Sequence, residues 1–357
     1  MSYVLAFLGI VALVILHEAG HFTVAKAVGM RVERFSLFFG PMLVKFRRGE
    51  TEYGIGPFPF GGYVKITGMN PHEEIPAEVI PRAYYNQPAW KRIVVILAGP
   101  AVNLLIAFGL LWALSLANGQ PVSTTRVVAV TKSTPAASAL RAGDQIVSVD
   151  GVKGSVDAIA RRLATHRCAG AQVNGCLAAT PARVVVRRAG RLRSFELRPR
   201  YSSADSKPEL GFEFGSVQKP VGVGSAASLS VSAMWSVTTR TVSVIAHLFE
   251  PKVRKQLHGI VGGFKVTQQR FASNTTEALF TLALISLSLA VINLFPFLPL
   301  DGGHVFWALA EKLRRRRIPF EVMERAGLVG FVLVVIVAVI GLSNDISTLT
   351  GKGFASP

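Results

Sequence analysis

His17, Glu18 and His21 form an H-E-x-x-H motif within Ile15-Leu16-His17-Glu18-Ala19-Gly20-His21. On a helix the two histidines lie four residues apart and share a face. Both imidazoles can therefore reach one zinc ion, with Glu18 set to act as general base on water. A third ligand is offered far along the chain by Asp301, in Asn293-Leu-Phe-Pro-Phe-Leu-Pro-Leu-Asp-Gly-Gly-His304. Three protein ligands leave a fourth position open, as catalytic zinc requires. His304 is a lesser candidate, better suited to a local hydrogen bond.

The setting sharpens this reading. Residues 3–16 carry no charge, and apolar residues continue to Ala25. Ionisable side chains inside a membrane-spanning helix are costly and mark a functional site. The plainer alternative is two histidines and a glutamate satisfied within a soluble core helix. Composition favours the membrane: 50% of the 357 residues are hydrophobic, 17% are charged, and mean hydropathy is +0.41. A soluble protein carries nearer a quarter charged residues. The net charge of +18 sits largely in clusters beside apolar runs and in one extramembrane domain. Anionic lipid and topology explain that better than nucleic acid, for which no module is present.

Four spans follow from the apolar runs at residues 3–25, 93–125, 278–300 and 326–344, the last three without charge. Arg31, Arg34, Lys45, Arg47 and Arg48 follow the first span and nothing basic precedes it. The positive-inside rule then puts the N-terminus outside and residues 31–48 in the cytoplasm. His17, roughly 20 Å along the helix at about 1.5 Å per residue, lies toward the cytoplasmic side, and Asp301 arrives at the same depth. Pro296 and Pro299 break the third span and free backbone groups that need protein or water around them. Residues 221–239 lack charge but are crowded with Ser and Thr, and read as an amphipathic surface helix.

Residues 52–66, aromatic and β-branched with Gly and Pro between, read as a β-hairpin. It is too apolar for an ordinary solvated loop, which fits a re-entrant element beside the metal site; a plain cytoplasmic hairpin is the alternative. In the second span Gly99 and Asn103 stand four apart and can face the first. Core packing alone would explain the glycine. Residues 126–214 form an extramembrane domain with strand-like runs at 126–130, 145–149, 183–187 and 194–197. Its Pro135-Ala136-Ala137, Ala142-Gly143-Asp144-Gln145-Ile146 and Val149-Asp150-Gly151 resemble a PDZ domain. Leu210, Gly211 and Phe212 resemble that fold's carboxylate-binding loop in circularly permuted order. Cys168 and Cys176, both within this domain, are expected to pair if it lies outside.

Taken together these residues resemble the site-2 protease family of intramembrane zinc metalloproteases, in the bacterial branch that acts on anti-sigma factors. His17, Glu18 and His21 match its zinc motif, Gly99 and Asn103 its small-residue motif, and Asn293 with Asp301 its third-ligand motif. The stretch 56–65 is similar to its re-entrant β-loop. The cysteine insert and the single PDZ domain are departures from some relatives.

The resemblance implies a polytopic α-helical membrane protein of four transmembrane helices with a re-entrant β-hairpin, plus an extracytoplasmic α+β PDZ-like domain. The expected division is 1–118, 119–215, 216–277 and 278–357. It implies one Zn2+ per chain, Glu18 as catalytic base, and Asn293, Gly61, Gly62 and Asn103 as substrate-binding residues. The expected partners are single-span membrane proteins such as anti-sigma factors, an upstream site-1 protease acting on the same substrate, and membrane lipid. The expected location is a bacterial inner membrane, with the N-terminus and PDZ-like domain extracytoplasmic and the active site toward the cytoplasm. A zinc-binding receptor or transporter, or an inactive scaffold, would leave Glu18 or the intact catalytic set unexplained.

Overall fold

A computed structural model of the protein describes residues 1–70, 73–203, 207–248, 250, 253 and 259–350. It divides into two compact units, Met1–Ala117 with Val223–Pro357, and Asn118–Gly222. The first unit holds helices α1 (Ser2–Ala27) and α2 (Ala89–Asn118) and strands β1 (Val32–Phe39), β2 (Val44–Arg48), β3 (Thr51–Ile55) and β4 (Phe58–Ile66). The second holds β5 (Gln120–Val130), β6 (Gln145–Val149), α3 (Val156–Leu163), β7 (Ala182–Arg188), β8 (Arg191–Leu197), β9 (Arg200–Ser202), β10 (Lys207–Glu209) and β11 (Phe212–Lys219). The chain then returns to the first unit with α4 (Val223–Ala246), α5 (Ile260–Ser273), α6 (Thr275–Asn293), α7 (Asp301–Arg314) and α8 (Phe320–Thr350).

Among the described residues, four helices are long and apolar enough to cross a membrane: α1, α2, α6 and α8. Helix α1 is apolar round its circumference and buries one stripe only: Ala6, Leu13, His17, Gly20, His21 and Ala25. Leu5, Leu8 and Leu16 are exposed. Small and polar residues inward with aliphatic residues outward is the pattern of a helix surrounded by lipid. Helix α2 buries a ridge of Val95, Gly99, Asn103, Ala107 and Leu111, each four residues on from the last. These ridges let helices approach through small side chains, and place polar groups where helices meet.

The strands at residues 52–66 are a correction to the hairpin expected there. β3 and β4 do not pair with each other; the sheet order is β2-β3-β1-β4, with β3 parallel and β4 antiparallel to β1. The reason is a long-range partner: β1, read only as part of a basic segment, inserts between them. The sheet is polarised along its strands. At one end Phe39, Leu43, Val44, Ile55 and Phe58 are exposed. At the other, Glu33 bonds Lys65 and Glu50 bonds Arg82. It packs along α1, with Phe35 and Tyr53 against Phe22 at the charged end and Phe38 near Phe7 at the apolar end.

Helix α4 covers the expected amphipathic segment and extends it to Ala246. Helix α5 was not anticipated. It packs at the start of α1, where Lys265 reaches Tyr3 and Gln268 reaches Ser2. Its N-terminal amides are capped by Asp345 of α8, which accepts from Gly259 N at 3.0 Å and Gly262 N at 2.7 Å. A carboxylate satisfies the orphan donors and the positive dipole end of a helix start.

In the second unit a five-stranded sheet runs β11-β5-β6-β7-β8. β7 alternates, with Ala182, Val184 and Val186 buried and Arg183 and Arg187 exposed. The inward set joins Val127, Ile146, Val149, Ile159 and Leu210 in one core. Asp144 closes the start of β6, taking Arg188 Nε at 2.8 Å and a second guanidinium nitrogen at 2.7 Å. Cys168 and Cys176 are joined in a disulfide.

Candidate active site

Three elements distant in sequence converge on one point. Helix α1 presents His17 and His21 a turn apart on its buried stripe. After α6 ends at Asn293, residues 294–300 turn through Pro296 and Pro299, and α7 starts at Asp301. That start is tightly seated, since a side chain on Gly302 would strike the Leu294 carbonyl. Asp301 Oδ2 thereby lies 3.2 Å from His17 Nε2 and 3.3 Å from His21 Nε2. The two Nε2 atoms are 3.3 Å apart. Among the described residues this is the one group of three such side chains able to hold a metal ion.

These edges test whether zinc fits. Bonds of about 2.0–2.1 Å in tetrahedral arrangement separate neighbouring ligand atoms by about 3.3–3.4 Å. The observed triangle has that size. Its chemistry agrees: Asp301 Oδ2 is buried without a hydrogen-bond partner. His21 Nδ1 lies 2.9 Å from the Val95 carbonyl, which can only accept. That fixes the proton on Nδ1 and leaves Nε2 a bare lone pair facing the triangle. The residues present fit the ion.

Around the triangle lies a cavity of about 570 Å³ lined by Val14, His17, Glu18, His21, Gly61, Gly62, Tyr63, Asn293, Asp301 and His304, among others. Glu18 is half-buried and borders it beside β4. Among the described residues β4 has one strand neighbour, β1, and its other edge pairs with no strand of the sheet. Asn293 Nδ2 is 3.4 Å from His17 Nε2. His304 borders the cavity but is outside the ligand triangle. Gly99 lies under His21, where an added methyl would collide with the imidazole Nε2. Helix α2 can approach α1 here only without a side chain.

One expected residue stands differently. Asn103, expected to touch substrate, is fully buried and its amide contacts His17 Nδ1 at 3.2 Å, which leaves no surface for a peptide. Leu210, Gly211 and Phe212 belong to the other unit; there the Leu210 and Gly211 carbonyls accept from Ala136 N and Thr131 N. Sequence reasoning missed the Val95 carbonyl, a main-chain group with no residue signature. It also missed Ser286, whose hydroxyl donates to the Asn103 carbonyl at 2.9 Å.

A helical membrane protein with a sheet and a buried His-His-Asp triangle beside a glutamate is a membrane-bound zinc metallopeptidase. The chain belongs to peptidase family M50, whose pattern it matches over residues 5–337. It is 32% identical to the zinc metalloprotease Rip1 of Mycobacterium tuberculosis, over 87% of this chain and 86% of that protein. It is 31% identical to Rip1 of Mycolicibacterium smegmatis, over 93% and 91% respectively. The protein is therefore a zinc metalloprotease embedded in the membrane, and its family acts on membrane-embedded substrates.

Proposed function

We propose that the protein hydrolyses peptide bonds within the transmembrane segments of single-span proteins such as anti-sigma factors, after a first cut outside the membrane by another protease. The observation that carries this is the shared cavity: the ligand triangle, Glu18 and β4 all border it. Helices shield their own amides, so a substrate must unwind before it can be cut. The β4 edge at Gly61 and Gly62 receives the unwound segment as an added strand, and the Asn293 amide donates to its backbone.

His17, His21 and Asp301 hold the zinc. When bound, zinc supplies Lewis-acid chemistry, polarising a carbonyl and acidifying water. Glu18 takes the proton of the attacking water on a carboxylate oxygen and delivers it to the leaving amine nitrogen.

Re-entrance of the sheet is supported by its place along α1. Phe38 meets Phe7 while Phe35 meets Phe22, so the apolar end lies toward the helix start, about 20 Å from Phe22 at about 1.5 Å per residue. If α1 spans the bilayer, that end lies at membrane depth. The orientation we favour puts residues 31–48 and 314–317 in the cytoplasm and the second unit outside. That unit is PDZ-like and gates access by its bulk, excluding substrates with large outer portions; capture of chain termini by its Leu210-Gly211-Phe212 loop is the alternative. Cleavage of a single-span reporter in reconstituted membranes tests the proposal. The intact protein should cut a trimmed reporter within its span, and Glu18→Gln should reduce the rate by about 10²–10⁴ with zinc content unchanged. Cleavage confined to soluble segments would refute it.

A further inference from the structure

Both zinc-facing histidines must carry their proton on Nδ1, yet the protein secures this in two different ways. His21 Nδ1 is held by a main-chain acceptor, the Val95 carbonyl at 2.9 Å. His17 Nδ1 faces a side chain, the Asn103 amide, at 3.2 Å. Val95, Gly99 and Asn103 lie on one ridge of α2, four residues apart. One helix face thus supplies an acceptor for His21, room for its ring, and an amide for His17.

We infer that Asn103 is a positioning residue that fixes the tautomer and ring orientation of His17 by accepting its Nδ1 proton. The inference rests on His17 being a zinc ligand. The amide as placed turns Nδ2 toward the ring, but oxygen and nitrogen of an amide are interchangeable by rotation. The other amide atom is buried without a partner as placed, and a half-turn leaves that position equally unpartnered, so the choice is decided at His17. Were Nδ2 the donor, the ring proton would sit on Nε2. It would then point among His21 Nε2, Asp301 Oδ2 and the Asn293 amide, blocking the lone pair that the ion needs. With Oδ1 toward the ring, three lone pairs converge instead. Asn103 is firmly seated, being fully buried with its carbonyl gripped at 2.9 Å by the fully buried Ser286 of α6. The backbone is thereby fixed independently of the side chain.

The test measures zinc affinity by chelator competition on purified full-length protein in detergent, with melting of the metal-free protein alongside. Asn103→Leu removes the acceptor at similar size, whereas Asn103→Asp keeps it. Orientation predicts that Leu weakens zinc binding about 10- to 100-fold while Asp stays within a few-fold of the parent. A role in packing alone predicts the reverse order, because an apolar residue suits a buried site and a carboxylate does not. A role in substrate binding predicts unchanged zinc affinity in both. Either result overturns the inference, as does equal loss in the two variants. His17→Ala is the control: if it leaves zinc affinity intact, the ligand assignment fails and not merely the role of Asn103.

Discussion

The backbone of Gly62 lies directly against the side chain of Glu18: a methyl group at Gly62 would sit 3.1 Å from Glu18 Cγ and 2.9 Å from the Ser36 carbonyl oxygen. The strand and the proposed acid–base group are therefore in register by contact. Gly62→Ala must push β4 away from β1 or displace the glutamate. Because small misplacements of reacting groups cost rate steeply, cleavage should fall about 10- to 100-fold. Zinc content should be unchanged, since no ligand is touched. Rate and bound metal measured on one preparation check this, and full activity would show that the contact is not used.

Asp301→Asn should lower zinc affinity together with activity. The amide keeps the shape of the side chain but removes the negative charge that the ion meets. Loss of a direct ligand should cost at least the roughly 10-fold seen for outer partners. Metal analysis after dialysis against a weak chelator decides it. Full occupancy would move the third ligand elsewhere, with His304, which also lines the cavity, the next candidate.

Acid should loosen the second unit at Asp144. The paired hydrogen bonds from Arg188 hold its carboxyl below the ordinary value, against the opposing effect of burial. A group depressed in the folded state stabilises fully above its unfolded pKa, about 3.9, and loses that contribution as pH falls through the lower folded value. Amide protection in β6 and β7, measured relative to the intrinsic exchange rate at each pH, should therefore fall below about pH 4. Asp144→Asn should show faster exchange already at neutral pH and a flatter response to acid. Tryptophan emission is of no use here, because Trp90, Trp112, Trp235 and Trp307 all lie outside this unit.

Much of the site was legible because its signals are local. The spacing of His17 and His21 places them on one face of any helix, and the apolar runs delimit membrane-length helices by composition. β6 at Gln145–Val149 was legible from its run of strand-forming residues. What escaped depends on partners far away in the chain. Nothing within residues 52–66 reveals that β1 will separate β3 from β4. The Val44–Arg48 strand is exposed along its whole length, so no alternation betrays it. Helix α5 buries Thr267 and Gln268 rather than an apolar face, and so lacks the usual stripe. Asn103 stands out in sequence as a polar residue in an apolar run, but its contact with His17 depends on a partner 86 residues away.

The ligand triangle also has an order in time. His17 and His21 leave the ribosome early, whereas Asp301 follows His21 by about 280 residues, or about 15–55 s at typical synthesis rates. Throughout that interval the nascent chain carries two thirds of a metal site and no means of closing it. The glutamate is present, but the carboxylate that completes its neighbour arrives only with α7, after the whole second unit has been made. A chain broken off before α7 therefore carries His17, Glu18 and His21 without the third member of the triangle.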